Sequence, residues 1–133
     1  MNHKSIKFLS LVLLAMVLVF SSCEDDPKLP DNVLEFESSV AGIASEEESL
    51  SLTINLSRAA STDVGLTLSV NGGTLVYGTD YTTTPEATAQ VIALTIPKGE
   101  TSTRVVINKI AGVGFGGDET IVVELVSIDG SPV

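Results

Sequence analysis

The sequence predicts an all-β domain, a two-sheet antiparallel β-sandwich, over residues 33–133. Three observations point there. Apolar residues alternate with polar ones in short runs, Leu50, Leu52, Ile54 and Leu56 in one and Val64, Leu66, Leu68 and Val70 in another. That is the period of a strand with one dry face and one wet face. Such runs recur about every dozen residues, divided by turn clusters such as Asn71-Gly72-Gly73 and Pro97-Lys98-Gly99, a spacing typical of sandwiches. No stretch of the domain carries an apolar stripe at the helical spacing of about 3.6 residues. Strands with one apolar stripe each bury it by stacking as two layers.

Ahead of the domain lies an address. Residues 2–7 carry Lys4 and Lys7, residues 8–20 form an apolar run, and Ser21-Ser22-Cys23 follows. These are the basic, apolar and small-residue regions of a secretory signal. A membrane-spanning helix needs roughly 20 apolar residues; this run has 13 and turns polar at Ser21. Cys23 is the only cysteine of the chain. Val19-Phe20-Ser21-Ser22-Cys23 resembles a bacterial lipobox, with Phe20 standing where an aliphatic residue is usual. The resemblance implies that residues 1–22 are a lipoprotein signal peptide and that Cys23 carries a diacylglycerol and acyl lipid. Glu24-Asp25-Asp26-Pro27 is similar to the export signal that places some Gram-negative lipoproteins on the outer face of the outer membrane. Residues 23–32, with Pro27 and Pro30, are expected to be an acidic tether.

The strands then follow in order. Val33–Glu37 begins the first, with Leu34 and Phe36 on one face, and Val40–Ala44 is expected to continue it after a kink. Ser45-Glu46-Glu47-Glu48-Ser49 is a charged turn, and residues 50–57 form the second strand. The third covers residues 64–70 and runs into the Asn71-Gly72-Gly73 turn. Thr82–Thr84 and Pro85 are expected to form a loop. Ile92, Leu94 and Ile96 mark the fourth strand, Val105 and Ile107 the fifth, and Ile121, Val123 and Leu125 the sixth, after a glycine-rich loop at 111–117. Gly72, Gly73 and Gly78 are expected to supply positive φ. Tyr81 is expected at the core edge with its hydroxyl outward.

Charge and chemistry narrow the function. From residue 23 onward the chain has five Lys and Arg against 17 Asp and Glu, a formal net charge of −12. Such a field repels nucleic acid. The only histidine is His3, so the exported part has no Ser-His, Cys-His or histidine-metal set. Paired carboxylates serve glycosidases, but a sandwich this small and poor in aromatic residues offers little cleft for them. The domain is expected to be non-catalytic.

In order along residues 33–128, Leu34-Glu-Phe36, Glu46-Glu47-Glu48, Leu52-Thr-Ile-Asn-Leu-Ser-Arg58, Gly73-Thr74 with Gly78-Thr-Asp-Tyr81, Ile96-Pro-Lys-Gly-Glu-Thr101 and Asp118-Glu-Thr-Ile-Val-Val-Glu-Leu125 together resemble a Calx-beta domain. The family is an immunoglobulin-like, calcium-binding β-sandwich of exchangers and bacterial surface proteins. The resemblance implies loop carboxylates at one end of the sandwich as calcium ligands: Glu46 or Glu47, Asp80, Asp118 and Glu119. Calcium takes six to eight oxygens, and the family's further acids are replaced here by Ala111-Gly112-Val113 and Gly116-Gly117. One weak site is the expectation. The competing reading is that Asp80 caps its own turn, Glu119 faces solvent and Glu46–Glu48 are a solubilising run.

Family members usually close with one more strand after a turn such as Ile128–Pro132. An open sheet edge is therefore expected, belonging to a longer lipoprotein, covered by the tail or tether, or paired with a strand from another chain. The function expected is that of a non-catalytic, adhesive or structural surface lipoprotein. The alternative is an N-terminal fragment of a larger glycan-capture lipoprotein, for which only Tyr77 and Tyr81 could serve as sugar platforms.

Overall fold

The computed structural model describes residues 31–44 and 46–130; the signal peptide, Cys23 and tether residues 24–30 lie outside them. Among the described residues seven strands form: β1 (Leu34–Phe36), β2 (Ser49–Leu56), β3 (Val64–Asn71), β4 (Tyr81–Thr84), β5 (Val91–Ile96), β6 (Ser102–Lys109) and β7 (Val122–Asp129). They make two antiparallel sheets, β1-β2-β6-β4 and β5-β3-β7, and so an all-β sandwich.

The alternation in β3 becomes burial directly. Val64, Leu66, Leu68 and Val70 are buried while the residues between them are partly exposed. On β5 the same stripe, Ile96, Leu94 and Ile92, lies opposite Val64, Leu66 and Leu68 in register. The other layer contributes Ile54 and Leu56 from β2 and Val105 and Ile107 from β6 to the same cluster. A one-residue slip of any of these strands would turn its stripe to solvent.

Two strand expectations fail, each for a physical reason. Thr82–Thr84 is strand rather than loop: β4 pairs with β6, with Tyr81 opposite Lys109 and Thr83 opposite Ile107. Its inward residues are Tyr81 and Thr83, both buried. Threonine suits a pleated, half-buried surface, so the alternation is present without aliphatic residues to announce it. Val40–Ala44, in contrast, forms no strand, and Val40 is 84% exposed. Val40 and Ile43 sit three apart, on opposite faces of an extended chain, and cannot share an apolar stripe.

At the start of the domain Asn32, placed with the tether by its sequence, is buried. Its side-chain Nδ2 donates to the Arg58 carbonyl at 3.1 Å, and its Oδ1 accepts from the Arg58 amide at 2.9 Å. The Ser57 hydroxyl donates to the same Oδ1 at 2.9 Å and accepts from the Val33 amide at 2.9 Å. One asparagine thereby ties the beginning of the domain to the end of β2.

Candidate functional site

The loop that carries the chain from β3 in one sheet to β4 in the other holds the candidate ligand Asp80. The Val76 amide donates to the Asp80 carboxylate at 2.7 Å, and the Asp80 and Thr79 amides donate back to the Val76 carbonyl at 2.8 and 3.1 Å. The Gly78 amide donates to the Tyr81 carbonyl at 2.7 Å, with Gly78 at φ 83°. The Asp80 carbonyl accepts from the Ile110 amide at 3.0 Å. Asp80 thus closes its own turn with its carboxylate and ties that turn to the end of β6 with its backbone.

Tyr81 departs from the position its sequence suggests. It is buried to 1% exposure rather than lying at the rim with its hydroxyl outward. Desolvation, and next the neighbouring Tyr77, push its hydroxyl pKa above the ordinary value. The two rings meet edge to face at 5.4 Å and 86°, a favoured aromatic geometry. The Tyr77 hydroxyl accepts from the Ala87 amide at 2.9 Å and shares a hydrogen bond with the Thr83 hydroxyl at 3.2 Å. Both aromatic rings take part in the fold, Tyr81 buried and Tyr77 partly buried against it. Gly72 is also required for a different reason than expected. Its φ is not positive; a Cβ there would lie 2.6 Å from Tyr81 Cε1 and 2.5 Å from the Leu75 carbonyl oxygen.

Two of the other candidate carboxylates, Glu119 and Glu47, are similarly engaged. Glu119 accepts from the amides of Gly116 and Gly117, both at 2.9 Å, and so closes the glycine-rich loop. Glu47 accepts from the Ala44 amide at 3.2 Å while its own amide donates to the Ala44 carbonyl at 2.9 Å. Glu46 and Asp118 are exposed. Among the described residues no group of three or more His, Cys, Asp or Glu side chains is placed to hold a metal ion. Glu47 and Asp80 each accept one backbone amide and Glu119 accepts two, out of about four acceptor sites on an ionised carboxylate.

Glu119 also gives the loop a pH dependence. Amide donation holds its carboxyl below the ordinary carboxylate range, first from Gly116 and then from its own amide, Gly117 and Asp118. A depressed folded pKa makes a stabilising contribution above the unfolded value of about 4.5, and that contribution is lost as pH falls through the folded value. The Gly116 and Gly117 amide resonances are expected to hold steady above that range and to titrate together below it. Resonances in Glu119→Gln that still titrate identically would contradict this assignment.

The remaining site is a groove of about 390 Å³. Residues 38–43 form one side, residues 119–123 another, and Leu50 and Leu52 of β2 its floor with Phe36 and Phe115 nearby. Of β7 only Val122 and Val123 line it, and β7 is an edge strand among the described residues. Nothing in the sequence marks this groove, which residues 38–43 line without forming a strand. No protein-family model matches the chain, and comparison with curated proteins finds no match.

Proposed function

We propose that this chain is a non-catalytic surface lipoprotein, held on the outer membrane by lipid on Cys23 and facing the cell exterior. The observation that carries this reading is the placement of the sole cysteine two serines after a 13-residue apolar run and directly before Glu24-Asp25-Asp26. Each buried methylene of an anchor contributes about 0.8 kcal/mol, and more than one acyl chain makes anchoring durable. The sandwich that follows is a Calx-beta-like, immunoglobulin-like module with an adhesive or structural role. Its polar turns use their carboxylates as backbone acceptors, which suits a rigid spacer or docking module better than a reaction centre. Protease added to intact cells is expected to remove the domain, while a periplasmic control protein survives. Equal protection of both would overturn the outward orientation.

Calcium enters this reading as a weak ligand on the extracellular scale of roughly 0.1–1 mM, drawn from Glu46, Glu47, Asp80, Asp118 and Glu119. Calcium at about ten times its dissociation constant stabilises by roughly 1.4 kcal/mol, a rise in Tm of several degrees. An unchanged Tm up to about 10 mM, at or beyond ten times the weakest affinity on that scale, removes calcium from the reading and leaves the anchor untouched.

A further inference from the structure

We propose that residues 111–118 are a hinged flap whose Phe115 side chain plugs the groove and whose latch is the Glu119 carboxylate. The gate is built from this chain's own residues and does not depend on the anchored-module reading.

The plug is a single aromatic residue among glycines, in Ala111-Gly112-Val113-Gly114-Phe115-Gly116-Gly117-Asp118. Phe115 packs against the buried core cluster and lines the groove with Leu50, Leu52 and Ile107. The Lys109 ammonium lies 5.7 Å from the centroid of its ring, a cation–π contact at the base of the loop.

The backbone around the plug is tied to little else. It lies between β6, which ends at Lys109, and β7, which begins at Val122. The Ile110 amide is still bonded to the Asp80 carbonyl. Beyond it, among the described residues, the hydrogen bonds of residues 111–120 stay within the loop. The Val113 amide donates to the Ile110 carbonyl at 3.1 Å, and the Gly116 and Gly117 amides donate to Glu119. A Cβ added at Gly112, Gly114 or Gly117 would meet no atom within 4 Å, so the backbone there stands clear of its surroundings. Segments with so few ties open locally at free energies well below that of global unfolding. Gly112 and Gly117, at φ 85° and 98°, bracket Phe115 and serve as hinges that take up the backbone change.

The latch couples the two ends of the motion. Glu119 holds two successive amides, and these belong to the residues that directly follow Phe115. While both bonds stand, Phe115 stays over the groove. While Phe115 stays packed, both amides remain within reach of the carboxylate. Loss of either contact therefore weakens the other, as neighbouring contacts on one moving unit do. A loop that merely frays has no such coupling.

Amide hydrogen exchange on the full chain in mild detergent reads that coupling. In Phe115→Ala the Gly116 and Gly117 amides are expected to exchange about tenfold faster, although neither partner of their hydrogen bonds has been touched. Phe115→Leu keeps an apolar plug and should exchange nearly as the wild type does. Glu119→Ala should speed the same two amides and move the Phe115 ring resonances toward solvent values. The dye anilinonaphthalene sulfonate should brighten on Glu119→Ala well below its melting temperature, because the groove is unplugged. Asp118→Ala makes the same change of charge without touching the latch and should leave the dye dark. Unchanged Gly116 and Gly117 exchange in Phe115→Ala would overturn the flap as one unit. Wild-type exchange at these amides as slow as at buried β3 would overturn local opening, and equal dye signals from both alanine variants would overturn gating. Should Phe115→Ala melt far below the wild type, relaxation dispersion on the wild-type Phe115, Gly116 and Gly117 amides decides. One shared exchange rate supports the flap, and unrelated rates or none overturn it.

Discussion

Replacing Tyr81 with alanine is expected to cost roughly 3–5 kcal/mol, the range for truncating a large buried aromatic side chain. Tyr81 is the largest of the fully buried side chains in the sandwich. Its ring fills the space beneath the β3–β4 turn, meets Tyr77 edge to face, and lies where a Cβ on Gly72 would collide with it. Truncation opens a cavity, removes the aromatic pair and undermines the strand that pairs with β6. A domain of about 100 residues is stable by only about 5–15 kcal/mol, and each kcal/mol moves its Tm by roughly 4–8 °C. Thermal unfolding of Tyr81→Ala should therefore begin well over 10 °C lower, as about 3 kcal/mol at that slope requires. Tyr81→Phe keeps the ring and should lose under about 1.5 kcal/mol. A similarly small loss for Tyr81→Ala would return the ring to the rim of the core.

The second large effect concerns Cys23. Cells fed an alkyne-tagged fatty acid are expected to label the wild-type chain and leave Cys23→Ala unlabelled. The effect is all-or-none because no second cysteine exists to accept the lipid. Cys23→Ala should also keep its basic and apolar N-terminus, since maturation of a lipoprotein resembling this one requires the modified cysteine. Persistent labelling in Cys23→Ala would place the lipid elsewhere and remove the lipobox reading.

Much of the fold is legible in the chain because aliphatic residues mark the inward positions. In β2, β3, β5 and β6 the alternation of Leu, Ile and Val coincides with the observed burial. β4 escapes because Tyr81 and Thr83 perform the same inward duty with a polar appearance. Asn32 escapes because its work is done by three hydrogen bonds to residues 57 and 58, and sequence separation hides the pairing. The turn-closing role of Asp80 is visible from the Gly78-Thr79-Asp80 spacing, since an aspartate there can reach back to its own turn.

The carboxylates are less legible for a specific reason. A turn needing an acceptor for a free amide and a loop needing a calcium ligand recruit the same residue types. Glu47, Asp80 and Glu119 stand near backbone amides that satisfy them; only coordinates distinguish the two uses. The groove is illegible for the opposite reason. It is lined largely by residues outside the strands, 38–43 and 117–121, while sequence patterns report the strands.

The most direct test of the anchored-module account is the mass of the mature N-terminus isolated from membranes. The account predicts a fragment beginning at Cys23 that carries the added mass of a diacylglycerol and acyl chain. A fragment beginning at any other residue, or at an unmodified Cys23, would contradict it.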